Sequence, residues 1–240
     1  MSLALLAADA DKRSSSALLT ALAAYWKLND PANGNRVDSS GKGWTLADRL
    51  GNVGSVAGLL GNAASFPVTG GLTKLWNQTG TPVTSGNFSA SLWINATSAA
   101  GSPGLLVQAH QTVTDTFVGK QELLIFSSKF TFSMDNATIT QDTAAVTLNA
   151  WNHVVGVYDG TKQYLFVNGT LKASAAVTPD YTQLDAVYLG SSLVSALIDE
   201  AGIWNRALSF GGVSVGQVAT GEVAALYNNG AGVTWPFTGI

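Results

Sequence analysis

Ala150-Trp-Asn-His-Val-Val-Gly-Val-Tyr158, Asp159-Gly160, Gln163-Tyr-Leu-Phe-Val167, Asn168-Gly169 and Thr170-Leu-Lys-Ala-Ser174 follow one another with almost no residues between them. Three short apolar runs are thus separated by two turn dipeptides. Asn-Gly accepts positive φ at both central positions of a tight turn, so the stretch predicts a three-stranded antiparallel meander. In its first strand Trp151, His153, Val155 and Val157 share one face, and Asn152, Val154, Gly156 and Tyr158 the other. Similar runs occur at Phe88 to Asn95, Gly104 to Gln108, Glu122 to Phe126, Phe130 to Met134, Ala186 to Gly190 and Ala196 to Trp204. Many short strands between Gly and Asn turns predict an all-β sandwich or barrel. One helix is predicted from Gly216 to Tyr227, with Ser214 and Gln217 three apart like a capping box. Asn228-Asn-Gly230 ends it with residues that tolerate the left-handed conformation. Ser209 to Thr220 reads as a loop inserted ahead of that helix.

Composition narrows the function. The chain has 240 residues, with 12 Lys and Arg against 15 Asp and Glu, a net charge of −3. Nucleic-acid modules neutralise phosphates with a basic stripe, and no run of Lys or Arg supplies one. Charged residues make up only 11%, so the surface is neutral and hydroxyl-rich. With no cysteine, disulfides, thiolate nucleophiles and cysteine metal sites are excluded. Two histidines, His110 and His153, are too few for a histidine zinc site. Apolar runs stay far below the length of a membrane span. Residues 1–23 read as an Ala/Leu-rich arm rather than a signal peptide, because Asp9, Asp11, Lys12 and Arg13 interrupt the apolar stretch. Residues 24–240 form the domain.

The order Ala24-Tyr-Trp-Lys-Leu28, Asp38-Ser-Ser-Gly-Lys-Gly43, Gly61-Asn-Ala-Ala-Ser-Phe66, Phe88-Ser-Ala-Ser-Leu-Trp-Ile94, Trp151 to Gly160, Tyr164 to Gly169, Ile198-Asp-Glu-Ala-Gly-Ile-Trp-Asn-Arg-Ala-Leu208 and Glu222 to Asn228 resembles the concanavalin A-like, laminin G-like domains, in their bacterial and bacteriophage branch. The resemblance implies a two-sheet antiparallel jelly-roll sandwich with a short N-terminal arm and one short C-terminal helix. It does not by itself imply an activity.

An enzyme is not expected. Hydrolases of this architecture resemble one another in a strand whose alternating carboxylates stand at the spacing retention requires. The glutamates here are Glu122, Glu200 and Glu222, and none has a second carboxylate two or four residues away. Asp199 is adjacent to Glu200, so in a regular strand the two point to opposite faces. His153 reads as a sheet residue and His110 as part of a polar loop, with no Gly-x-Ser-x-Gly motif to supply a nucleophile.

Binding is the expectation instead. Sugar recognition uses aromatic faces together with short polar side chains. In the Phe88 run, Phe88, Ala90, Leu92 and Ile94 face inward, which leaves Trp93 on the other face, either as a ligand platform or packed under a covering segment. Trp76 and Asn77 fall in a turn-rich stretch, Leu75-Trp-Asn-Gln-Thr-Gly80, where an aromatic serves a ligand or plugs the sandwich edge. By the resemblance, Asp30 and Asp199 are candidate ligands of a structural calcium ion; the plain alternatives are strand-end hydrogen bonds for Asp199 and an Asx turn for Asp38. Arg206 is expected to pair with Glu200 or Asp199. Five Asn-x-Ser/Thr triplets, at Asn77, Asn87, Asn95, Asn136 and Asn168, carry no inference of glycosylation in so Asn-rich a chain. The expected function is a non-catalytic module. It is read as a bacteriophage virion surface component, in head decoration or tail, with an adhesive role toward a glycan or host-surface polymer and an arm that docks on other virion proteins. The alternative is a secreted or cell-surface bacterial lectin-like domain. A homo-oligomer fits either reading, and a glycoside hydrolase ranks third.

Overall fold

The computed structural model describes residues 17–68, 73–100, 103–113, 116–190, 193 and 195–238. Its strands follow in chain order as β1 Leu22–Trp26, β2 Ala47–Asp48, β3 Gly54–Ala57, β4 Asn62–Phe66, β5 Leu75–Asn77, β6 Phe88–Ala96, β7 Gly104–Val113, β8 Thr116–Phe126, β9 Lys129–Ser133, β10 Ile139–Gln141, β11 Trp151–Tyr158, β12 Lys162–Val167, β13 Thr170–Ala176, β14 Ala186–Leu189 and β15 Ala196–Trp204. Helix α1, Gly221–Tyr227, runs into a 3₁₀ turn at Asn228–Gly230. An eight-stranded sheet has the order β13-β12-β11-β6-β15-β4-β3, with β1 on the remaining length of β15. A seven-stranded sheet has the order β10-β9-β8-β7-β14-β5-β2. All pairings are antiparallel, and the fold is the expected all-β jelly-roll sandwich.

Period-two alternation builds the inner core. Leu92 and Ile94 of β6, Val154 of β11, Leu123 and Ile125 of β8 and Phe130 and Phe132 of β9 meet between the sheets. Gly156 of β11 makes the close approach possible, because a Cβ there would stand 2.4 Å from the ring of Phe132. The other face of the eight-stranded sheet is also covered. Val155, Val157, Phe166 and Trp204 pack there beneath Leu18 and Leu22 from the chain's beginning and Val223, Leu226 and Phe237 from its end. β11 is therefore buried on both faces, with its two side-chain sets divided as the sequence predicts.

Residues 1–16 of the expected arm lie outside the described residues. Of residues 17–23, Leu18 and Leu22 are buried in the outer core, and Trp204 donates its indole N–H to the Leu18 carbonyl at 2.7 Å. The helix is shorter than expected. Residues 216–219 pair with β13 instead: Leu171 N–H donates to Gln217 O, Gly216 N–H to Leu171 O and Ala219 N–H to Gly169 O. Ser214 and Gln217 do bond, through Ser214 N–H to Gln217 Oε1 at 2.8 Å, but they close a turn ahead of the helix. His110 is on strand β7 rather than in a loop, its Nδ1 2.6 Å from Asp185 Oδ2.

Candidate functional site

The chain leaves β1 at Trp26 and turns back sharply, with Leu28 at φ +63° and Asn33 at +59°. Two buried charged residues hold this turn rigid. The Arg36 guanidinium donates to the carbonyls of Pro31 at 2.8 Å and of Val53 and Gly54 at 3.0 Å. The Asp38 carboxylate accepts the N–H groups of Tyr25, Ser40, Lys42 and Trp44. Asp38 is thus an Asx hub, its plain reading. Asn29 Oδ1 accepts Asn62 N–H at 2.5 Å, and Gly61 opposite it has no room for a Cβ.

Between this turn and the C-terminal segment lies a cleft of about 450 Å³, lined by Lys27, Asn29, Asp30, Val37, Ser39 and the half-buried Trp235. An aromatic wall beside a few fixed polar groups, at this volume, is the usual make-up of a small-ligand site. Lys27, Asp30 and the Ser39 hydroxyl make no hydrogen bond or ion pair within the described residues, so they are free to meet a ligand. Asp30 acts electrostatically on the nearby Arg36.

Behind the cleft the sheet carries two buried carboxyls. A bulge falls between Asp199 and Gly202, with Glu200 at φ +48°. The bulge brings both acidic side chains to the outer layer, which corrects the expectation of opposite faces. Asp199, in register with outward-facing Trp93, accepts Leu59 N–H at 2.9 Å and Leu60 N–H at 3.0 Å on Oδ2. Glu200 accepts the Tyr25 hydroxyl at 2.6 Å. Burial lifts the Asp199 carboxyl to about 6 and the Glu200 carboxyl to about 8. Arg206 pairs with neither: it forks onto Glu222, with Nη1 to Oε2 at 2.7 Å.

The calcium expectation does not fit these residues. Asp30 lines the cleft, whereas Asp199 is fully buried with one oxygen already taken by two N–H groups. Of the two buried carboxyls only Asp199 Oδ1 and Glu200 Oε1 lack partners, whereas calcium takes six to eight oxygens gathered at one point. Among the described residues no three His, Cys, Asp or Glu side chains gather around a metal position.

Trp93 does lie on the outer face of the sheet, but it is only 3% exposed. His153 packs on it at 4.8 Å and Tyr227 at 5.9 Å between ring centres. The ring is packed under a covering segment and is no platform. Trp76 sits on strand β5 rather than in a loop, in register with Tyr188, and the Arg49 guanidinium lies 5.2 Å over its ring. Asn77 spends its amide on Thr45 O and on the Thr79 N–H and hydroxyl. Trp93 and Trp76 are on different sheets, so the structure does not bring the candidates together. Sequence reasoning missed Trp235, Lys27 and Ser39. Trp235 had a signal, an aromatic in a Gly-rich terminal stretch, but nothing in the sequence says that this stretch returns to β1.

One further arrangement has the form of catalytic machinery. Ser91 Oγ is 2.9 Å from His153 Nε2, the reach of a nucleophile and its base. Both residues are buried, desolvation drops the imidazole to about 3, and Nδ1 has no partner to orient it.

The fold has many relatives. Domain 4 of AbnA, a GH43 extracellular arabinanase from Geobacillus stearothermophilus, solved in complex with arabinotriose, superposes with a TM-score of 0.57 at 18% identity, over 78% of this chain and 94% of that one. The Trypanosoma rangeli sialidase in complex with sialic acid gives 0.60 at 12% identity, over 82% of this chain and 35% of the sialidase. The botulinum neurotoxin type G receptor-binding domain gives 0.54 at 15% identity, over 79% and 49%. No curated protein matches the sequence. A laminin G-type family profile matches residues 70–214, and the chain belongs to the concanavalin A-like lectin/glucanases superfamily.

Proposed function

We propose that the protein is a non-catalytic oligosaccharide-binding module whose ligand enters the cleft between Trp235 and the turn after β1. The observation that carries this reading is the cleft itself: a half-buried indole beside Lys27, Asp30 and Ser39, whose side chains make no hydrogen bond or ion pair among the described residues. Indole faces take the apolar side of a sugar ring, and short polar groups on a rigid turn take its hydroxyls. The arabinotriose complex of the arabinanase domain supports a sugar as the ligand class. A catalytic role has little support, since the Ser91–His153 and Asp199–Glu200 pairs are both closed from solvent.

The setting we propose is a virion or cell surface, with residues 1–16 as the docking segment ahead of the anchored Ala17–Trp26. Deleting residues 1–16 is expected to leave the melting temperature unchanged while abolishing assembly onto a virion or a second copy; retained assembly removes this setting. For the binding reading, calorimetric titration over a broad oligosaccharide panel should show saturable binding that Trp235→Ala and Asp30→Ala each weaken by about tenfold or more. Binding to no glycan, or binding indifferent to both changes, overturns it.

A further inference from the structure

The outer face of the eight-stranded sheet is covered only in part. In one register row Asp199, Trp93 and His153 lie side by side on β15, β6 and β11 beneath Tyr227. Two residues along each strand, the next row reads Ser65 on β4, Leu197 on β15, Asn95 on β6 and Trp151 on β11. Side chains repeat every two residues, so this row faces the same way as Trp93. All four residues are partly exposed, because the covering segment has ended. At the strand spacing of about 4.8 Å the row is roughly 14 Å wide.

A cleft of about 240 Å³ opens at this row, walled by Ser65, Asn95, Thr97, Asn149, Ser195 and Leu197. Apart from Thr97, its polar side chains are unspent. Ser65, Asn95, Asn149 and Ser195 make no side-chain hydrogen bond within the described residues. Elsewhere the chain uses Asn to tie backbone: Asn29, Asn77, Asn152 and Asn168 all bond main-chain groups. Asn is also disfavoured inside strands, yet Asn95 stands within β6 with its amide free. The walls are pinned by the backbone. Thr97 N–H and hydroxyl both donate to Ser195 O, at 2.9 and 3.1 Å, and Asn149 N–H donates to Ala96 O at 2.8 Å. A pre-ordered wall loses little entropy when it binds.

Among the described residues no charged side chain lines this cleft. Two amides and two hydroxyls offer donors and acceptors side by side, matching the vicinal hydroxyls of a sugar, while Leu197 and the flanking Trp151 offer apolar surface to its C–H face. A carboxylate or sulfate would find no cation. We infer that this cleft is a second oligosaccharide subsite, selective for neutral sugars, on residues separate from the Trp235 cleft.

The test is a titration of full-length ¹⁵N-labelled protein with neutral trisaccharides (arabinotriose, cellotriose, mannotriose and galactotriose) and with acidic ones (sialyllactose and trigalacturonate), followed through the Asn95 and Asn149 side-chain amides and the Trp235 indole. At least one neutral trisaccharide should shift both amides in a saturable way, and the acidic ones should not. Asn95→Ala should weaken the Asn149 response by about tenfold while the Trp235 indole response persists, and Trp235→Ala should leave the Asn95 and Asn149 responses as in the parent. Asn149→Gly, which keeps the left-handed backbone at φ +57°, should also weaken it without lowering the melting temperature. The inference is overturned if no neutral sugar shifts the two amides, if acidic sugars shift them equally, or if both Asn variants bind as the parent does.

Discussion

Glu200 joins backbone strain, burial and charge in one residue. Its φ of +48° belongs to a conformation that glutamate rarely adopts, and the bulge it makes turns its carboxyl toward the Tyr25 hydroxyl. With a folded pKa of about 8 against an ordinary 4.5, the folded protein holds this proton more tightly than the unfolded chain does. That contribution is complete below 4.5 and is lost as pH rises through 8. Burial moves Asp199 to about 6 and Glu122 to about 7, in the same direction. His153, at about 3 against 6.5, works in reverse, its contribution being lost as pH falls below 6.5. Between pH 6.5 and 8 Glu122 and Glu200 dominate, so the unfolding free energy should fall with rising pH, by up to about 1.4 kcal/mol per pH unit for each titrating group, and the melting temperature with it. Glu200→Gln keeps an acceptor for Tyr25 and should flatten this fall; a parent curve already flat from 6.5 to 8 would refute the assignment. Trp93 gives the second residue-scale prediction. Because the buried indole is packed against both His153 and Tyr227, Trp93→Ala should cost about 3 to 5 kcal/mol in urea unfolding. The face that Trp93 occupies was legible from alternation along the Phe88 run. Whether anything covered it was not, because the covering residues come from more than 130 positions away.

Among the elements, hairpins were the most readable. Asn168 adopts φ +50° and Gly169 +72°, as a tight Asn-Gly turn requires, and the flanking strands pair as the apolar runs imply. Helix α1 was less readable, because residues 216–219 could bond either up a helix or across to β13. The cross-chain bonds at Leu171 and Gly169 took them. The bulge in β15 was invisible for a similar reason. Nothing in Asp199-Glu200-Ala201-Gly202 marks an extra residue, and its position follows from how β1, β4 and β6 divide the length of β15 between them. Close packing of the sheets supplies a test at this scale. Gly156→Ala would put a methyl 2.4 Å from the Phe132 ring, so it should destabilise by about 1 to 3 kcal/mol through overpacking. An unchanged denaturation midpoint would mean that the sheets do not approach so closely there.

At the scale of the molecule, one ion pair joins the beginning and end of the described chain. Arg206 forks onto Glu222 of α1 and donates to the carbonyls of Ala17 and Thr20. Removing one partner leaves a charge with little access to water. Glu222→Ala should therefore cost about 3 kcal/mol, read as a lowered urea midpoint; a change as small as that of an exposed pair would show that the clamp is unimportant. The misfit of calcium makes a further prediction, since a ligand bound only to the folded state raises its stability. Adding a chelator should leave the melting temperature unchanged, and a clear drop would restore a metal. The sequence by itself determined the fold class, the hairpins, the two faces of β11 and the neutral, hydroxyl-rich surface. Each of these rests on composition or on the two-residue period of a strand, both of which are local properties. Only the tertiary structure decided that Trp93 is buried, that Asp199 and Glu200 share a side, that Arg206 meets Glu222, and that Trp235 returns to the turn after β1. The shared side follows from how β1, β4 and β6 pair along β15; the others depend on the segment after β15 folding back across the outer sheet, and the energy that seats it comes from contacts between residues far apart in the chain.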